Sequence, residues 1–134
     1  MKTRFTTEEF DLFTIEIINK GYRKGYRKCN GKLHNEDYYF YKSIFKTDYD
    51  EYGDRRSVCQ LFLSVYDWRK YILHDVKEDF SFTFNIEISR NSNERNSFIL
   101  DSKLFITIED AEKTALDLYH YFDTKLSLMT NEEE

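Results

Sequence analysis

The chain has 134 residues, about the size of one domain, and its 11 Tyr, 12 Phe and one Trp predict a core filled largely by aromatic rings. The formal charge of −5 argues against a surface that binds polyanions without specificity. No apolar run approaches the roughly 18 residues of a membrane span, and Met1–Thr6 lacks the apolar stretch of a secretory signal.

The composition also indicates a compartment and an origin. Cys29 and Cys59 are the two cysteines, neither lies in a CxxC pair, and without a signal segment they are expected to be reduced thiols. Abundant Lys, Asn, Tyr, Phe and Ile with no Pro resembles the bias of AT-rich bacterial or phage genomes. We therefore expect a cytoplasmic protein of bacterial or phage type with no membrane partner.

A helix is predicted near the start of the chain, over about residues 7–19. Thr6 and Glu9 have capping-box spacing, and Phe5 before the cap can close on the helix as a hydrophobic staple. Gly21 stands where a left-handed residue would end the helix. The buried stripe of this helix is predicted to be Phe10, Phe13 and Ile17.

Two aromatic, β-favouring segments follow, at residues 38–46 and 58–67. Between them, residues 48–54 are acidic and contain Gly53, which is typical of a turn. The two segments are therefore predicted to pair as a hairpin with a long acidic loop.

A third strand is predicted at residues 80–89, where aromatic or aliphatic residues alternate strictly with polar ones. Residues 90–97 predict a polar turn, and residues 98–105 predict a returning fourth strand. Thr107 and Asp110 then mark the start of a second helix, expected to end near residue 127 before a frayed acidic tail at about 130–134. Its apolar stripe is Ile108, Ala111, Ala115, Leu118, Phe122 and Met129.

These elements predict one α+β domain over residues 1–134. We expect a four-stranded antiparallel meander sheet with the N-terminal and C-terminal helices packed on one face, since each helix has one apolar stripe. No glycine-rich linker, long-period repeat or low-complexity tract divides the chain.

A basic segment lies between the first helix and the first strand. It repeats Gly-Tyr-Arg-Lys, and its candidate partner-binding residues are Tyr22, Arg23, Lys24, Tyr26, Arg27 and Lys28. Cations interleaved with tyrosines suit single-stranded nucleic acid, because cations hold phosphates while rings stack on bases. The same residues would suit an acidic protein, or would form an ordinary solvated connector.

The first two strands are apolar on both faces. On residues 38–46, alternation directs Tyr39, Tyr41 and Phe45 to one side, and Tyr38, Phe40 and Ile44 to the other. One of these sets is covered by a helix or is an aromatic interface for a homodimer or another protein, and Tyr39 and Tyr41 are the candidate residues.

No catalytic, metal or cofactor site is predicted. His34, His74 and His120 are far apart, and none is near a second ligand at zinc spacing. We therefore predict a small non-enzymatic binding protein that acts through the aromatic sheet face and the basic segment on a protein partner or a second copy. The alternative is a single-stranded nucleic acid binder, and the minor alternative is an enzyme whose site is assembled only by the fold.

Overall fold

The computed structural model describes residues 1–29, 32–46, 52–53, 57–70, 78–91, 94–101 and 104–132, and it leaves the side chains of residues 27–29, 32–37, 70, 90–91, 94–95 and 123–132 undescribed. The elements in chain order are β1 (Arg4–Phe5), α1 (Thr7–Asn19), β2 (Arg23–Cys29), β3 (Lys32–Lys46), β4 (Ser57–Asp67), β5 (Phe80–Asn91), β6 (Glu94–Leu100) and α2 (Ile108–Glu132). A short 3-10 turn, Trp68–Lys70, follows β4.

All strands belong to one antiparallel sheet. The order across the sheet is β1, β5, β4, β3, β2, and β6 also pairs with β5. The predicted α+β class, with an antiparallel sheet and a helix near each end, is confirmed. The predicted number of four strands is wrong, because β1 and β2 add two more.

The local signals of α1 form as the sequence predicts. The Thr6 hydroxyl accepts from the Glu9 backbone N–H, and the Glu9 carboxylate accepts from the Thr6 N–H, so both halves of the capping box are present. The rings of Phe5 and Phe10 lie 6.0 Å apart, as a hydrophobic staple requires. Gly21 has φ 95°, a left-handed conformation that ends the helix.

The core lies between the helices and one face of the sheet. Alternation along the central strands buries Leu61 and Leu63 of β4 beside Phe84 and Ile86 of β5, all with no exposed surface. From the helices, the same cluster takes in Phe10, Phe13, Ile17, Ile108, Ala111 and Ala115. Six further aromatic side chains belong to the same cluster: Phe5, Tyr22, Phe40, Phe80, Phe82 and Phe105.

Several predicted boundaries change in the structure. The polar turn predicted at residues 90–97 is shorter, because β5 continues to Asn91 and β6 begins at Glu94. The fourth strand ends at Leu100 rather than Phe105, and α2 continues to Glu132, which includes residues expected to fray. Of the acidic loop, the structure describes only residues 52–53.

A register shift in β3 overturns one prediction of side-chain direction. The ladder between β3 and β4 is irregular between Ser43 and Phe45, as in a β-bulge. The ring of Phe45 therefore lies on the helix side, with its centroid 4.9 Å from that of Tyr119. It does not share a face with Tyr39 and Tyr41. In the ranges that are described, neither helix has an apolar stretch long enough to cross a bilayer.

Candidate interaction surface on the open face of the sheet

The sheet face that turns away from the helices, here called the open face, is built from rows of residues paired across the strands. One row runs through Arg23, Tyr41, Phe62, Asn85 and Ile99. The next row runs through Gly25, Tyr39, Ser64 and Thr83. The open face thus places aromatic side chains on the two middle strands and polar ones around them.

Three rings form an aromatic cluster at the middle of this face. The centroids are 5.7 Å apart for Tyr39 and Tyr41, 5.5 Å for Tyr39 and Phe62, and 6.0 Å for Tyr41 and Phe62. These spacings fall in the range of favourable ring pairs. All three rings are only half-buried, so each covers part of its neighbours and none is enclosed by the residues that the structure describes.

Gly25 fixes the position of one ring in the aromatic cluster. A Cβ atom at Gly25 would lie 2.5 Å from Cζ of Tyr39, so the ring lies directly against the glycine backbone of β2. The missing side chain of Gly25 is thus the space that Tyr39 occupies.

A second pair of rings extends the open face toward the end of β4. Tyr66 and Trp68 are 40% and 41% exposed, and their rings stack with centroids 6.3 Å apart. The indole Nε1 of Trp68 donates to the Ser81 hydroxyl at 2.9 Å, and Ser81 pairs with Tyr66 across the strands. The hydrogen bond holds Trp68 against the sheet.

A shallow hollow of about 390 Å³ separates the aromatic cluster from β6. The Asn85 amide donates to the Ser64 hydroxyl at 3.2 Å on its floor, and Ile99, 83% exposed, stands at its edge. Its lining is Tyr39, Phe62, Ser64, Asn85, Glu87, Ser97 and Ile99. A partner that covers the rings would therefore also meet hydrogen-bonding groups.

The basic segment forms the edge strand β2 rather than a connector, and alternation divides its side chains between the two faces. Tyr22, just before β2, is 3% exposed, and its hydroxyl donates to the Glu112 carboxylate at 3.1 Å. Burial, with Glu112 close by, raises the pKa of Tyr22 above its ordinary value. The Lys24 ammonium lies 4.1 Å from the ring centroid of Tyr38 and 5.2 Å from that of Tyr26, a cation–π contact.

The structure therefore brings together three of the eight predicted site residues: Arg23, Tyr39 and Tyr41 lie side by side on the open face. Lys24 and Tyr26 lie on the other side of the sheet. Tyr22 is a core residue whose ring has no face left for stacking, which corrects its prediction as a contact residue. The side chains of Arg27 and Lys28 lie outside the described part.

Cys59 is a buried thiol whose surroundings keep it protonated. Its Sγ lies 3.3 Å from the carbonyl oxygen of Ala115, to which it donates, and burial raises the pKa of the Cys59 thiol to about 11. Since the thiolate is the reactive form of cysteine, this thiol has a structural role.

We expect Cys59 to make the fold sensitive to alkali. The folded state raises the thiol pKa from 9.0 to about 11, so this stabilisation is complete below pH 9 and is lost as pH rises through 11. Between pH 8 and pH 10 the free energy of unfolding should fall by about 1 kcal/mol from this group. Urea denaturation at both pH values measures the fall, and Cys59→Ala should lessen it. An unchanged slope in that variant would contradict the assignment.

The remaining titratable residues assemble no metal site in the described part of the chain, where no group of three or more His, Cys, Asp or Glu is placed to hold an ion. His120 is exposed on α2, with its ring centroid 5.9 Å from that of Phe45. His74 and the side chain of His34 lie outside the described residues.

Sequence reasoning missed one further exposed apolar surface. Leu12, Ile15 and Ile18 form a stripe on the outer side of α1 and are 70%, 58% and 46% exposed. Their spacing of three residues is visible in the sequence, but the stronger stripe of buried residues on the same helix hides it.

Comparison with known proteins gives no match: no protein-family model, no curated protein and no solved structure matches the chain.

Proposed function

We propose that the chain is a non-enzymatic binding protein of the bacterial or phage cytosol, and that its open face holds a protein partner, a second copy of the chain included. The observation that carries the proposal is the aromatic cluster of Tyr39, Tyr41 and Phe62, half-buried and flanked by Arg23. Tyr, Phe, Trp and Arg are the residue types enriched at the centre of protein interfaces.

The rings of the aromatic cluster are held in place before any partner arrives. Each contacts the other two, and the ring of Tyr39 also lies against Gly25. Ordered rings lose little conformational entropy on binding, so most of their contact energy contributes to affinity. Rigid aromatic side chains of this kind are typical interface hot spots.

The polar residues around the cluster favour a protein over a nucleic acid. Among the described residues, those next to the rings are mostly neutral hydrogen-bonding groups: Gln60, Ser64, Thr83 and Asn85. A surface that follows a single strand by its phosphates needs cations along the whole row of rings. Here Arg23 stands at one end of the row, and the formal charge of the chain is −5.

Sedimentation velocity over a range of concentrations tests self-association directly, and affinity capture followed by binding measurements with the purified partner tests a different protein. We expect Tyr41→Ser and Tyr39→Ser each to weaken association about 30-fold, the effect of losing a hot spot worth about 2 kcal/mol. Tyr121→Ser is the matched control, since Tyr121 is exposed on α2. A monomer without a partner, or equal losses in all three variants, would sink the proposal.

Gly25→Ala provides a second variant that keeps every ring. The new methyl group meets only the far end of the Tyr39 side chain, which can turn toward solvent because Tyr39 is half-buried, so we expect only a small change in the free energy of unfolding. Association should weaken because the aromatic cluster is rearranged. If association is unchanged, Tyr39 does not belong to the contact surface.

Single-stranded nucleic acid is the second candidate, because Arg23 pairs directly with Tyr41 across the strands and so places a cation beside a ring. Fluorescence titration of an oligothymidine at low and moderate salt tests it. Binding should fall steeply with salt, and Arg23→Gln should lessen the slope. Absence of binding at low salt removes this candidate.

A further inference from the structure

At one corner of the sheet the strands leave a groove of about 460 Å³ between the end of α1, β3 and β4. The described pairing of β2 with β3 reaches Arg23 and Tyr41, whereas β3 continues to Lys46. The stretch from Lys42 to Lys46 therefore extends past the beginning of β2, and the groove lies along it.

The groove is lined by groups that donate hydrogen bonds or carry positive charge. Three cations contribute to it, Arg23 from β2 and Lys42 and Lys46 from β3. Tyr41, Ser43 and Ser57 also line the groove, and the hydroxyls of Ser43 and Ser57 are hydrogen-bonded to each other at 2.6 Å.

One of the three cations is fixed in place. The Lys42 ammonium lies 3.1 Å and 3.3 Å from the two oxygens of Glu112, and 5.5 Å from the ring centroid of Tyr22. Glu112 offsets the charge of Lys42, so the charge available to a ligand comes mainly from Arg23 and Lys46. Both of these side chains are exposed, and their backbone positions are about 16 Å apart along β3 at 3.3 Å per residue. An arginine and a lysine side chain are each long enough to extend toward the middle of the groove, where one phosphate can contact both.

We propose that this groove binds a phosphate group. Arginine, lysine and the hydroxyls of serine and tyrosine are the side chains that most often bind phosphate oxygens, and arginine offers two parallel N–H donors to one oxyanion. The hydroxyls can donate to a third terminal oxygen of inorganic phosphate or of a monoester, and to an ester oxygen of a diester, whereas a planar carboxylate has two oxygens only. The phosphate would be part of a phosphate ester or of a nucleic acid strand, and the groove recognises the group that these ligands share.

The groove differs from the surface of the proposed function in its ligand and in most of its residues. Arg23, Tyr41 and Gln60 border both, whereas Lys46, Ser43 and Ser57 lie away from the aromatic cluster. A protein partner on the open face does not require an anion in the groove, so either proposal can fail while the other stands.

Titration of the nitrogen-15-labelled protein with sodium phosphate at constant ionic strength tests the proposal. We expect amide shifts confined to residues around the groove, with a Kd on the order of 1 mM, as suits a small ligand in an open site. Lys46→Gln and Arg23→Gln should each weaken binding about tenfold. Arg4→Gln is the matched control, because Arg4 lies on β1, on the far side of β5, and it should leave the Kd unchanged.

Two further titrations separate phosphate from other anions. Sodium acetate should bind at least about tenfold more weakly than phosphate, because the carboxylate has one oxygen fewer to accept hydrogen bonds. The affinity for inorganic phosphate should also fall between pH 7.5 and pH 5.5, because the phosphate dianion takes up a proton over this range and loses half of its charge. A shift pattern reproduced by acetate or by chloride, or no shift in tens of millimolar phosphate, would overturn the proposal.

The affinities for two more ligands, a nucleoside monophosphate and an oligothymidine, show which kind of molecule carries the phosphate. A nucleoside monophosphate that binds as tightly as oligothymidine indicates a small ester, and an oligothymidine that binds much more tightly indicates a nucleic acid strand. Both results require the same loss in Lys46→Gln. If that variant binds oligothymidine as tightly as the unchanged protein, the groove is not the phosphate site.

Discussion

Phe84→Ala is expected to lower the free energy of unfolding by about 3–5 kcal/mol, while Phe62→Ala lowers it by about 1–2 kcal/mol. The two phenylalanines lie on adjacent central strands but on opposite faces. Phe84 has no exposed surface and forms edge-to-face contacts with Phe82 and Phe105, with centroids 5.2 Å and 5.8 Å apart. Phe62 is half-buried on the open face.

The difference between the free energies of unfolding of these two variants measures how much more one face of the sheet is buried than the other. A small domain is stable by only about 5–15 kcal/mol, so Phe84→Ala alone should shift the urea midpoint far toward zero. Urea denaturation followed by circular dichroism gives both free energies. If Phe62→Ala costs as much as Phe84→Ala, the aromatic cluster is part of a second core and is not a contact surface.

The second large effect is expected at Glu112 on α2. Its carboxylate accepts from the Tyr22 hydroxyl and from the Lys42 ammonium, and both of these partners are at least partly buried. Glu112→Ala leaves a charge and a hydroxyl without their acceptor, so we expect a loss of about 2–3 kcal/mol in the free energy of unfolding. Glu112→Gln keeps an acceptor for Tyr22 and should cost about 1 kcal/mol.

Glu109 provides the matched control on the same helix. It forms an ion pair with Lys20, but its side chain is 58% exposed, so Glu109→Ala should cost less than about 1 kcal/mol. Thermal denaturation of the three variants gives the ranking. Equal losses at Glu109 and Glu112 would show that the contacts of Glu112 contribute no more than a surface ion pair.

Local signals predict the parts of the fold that depend on neighbouring residues. The bounds of α1 follow from Thr6, Glu9 and Gly21. The start of α2 follows from Thr107 and Asp110: the Thr107 hydroxyl accepts from the Asp110 backbone N–H, and the Asp110 carboxylate accepts from the Thr107 backbone N–H. The strict alternation of residues 80–89 predicts β5 because one face of that strand is buried and the other is not.

Pairing partners decide the parts that the sequence does not predict. β2 contains a glycine and several cations, a composition that is not typical of a strand, and it is a strand because the edge of β3 offers it hydrogen bonds. β1 is two residues long and exists through its pairs with Phe80 and Ser81. Strand propensities of single residues do not predict such long-range contacts.

The candidate site was also predictable only where local signals place its residues. Tyr39 and Tyr41 follow from alternation, because no irregularity precedes them in their part of β3. The direction of Phe45 does not follow from alternation, because the bulge after Ser43 interrupts the regular alternation of side chains between the two faces of the strand. Tyr22 looks like a surface tyrosine within a basic repeat, yet the end of α1 turns it into the core beside Ile17.

The position of β2 at the margin of the sheet has a consequence for how copies of the chain can meet. An edge strand with unpaired backbone groups can form hydrogen bonds with a strand of another chain, and repeated pairing of this kind produces fibrous aggregates. Arg23 and Lys24 are adjacent on β2, so two copies aligned along this strand would bring like charges together. Repulsion there disfavours open-ended polymers.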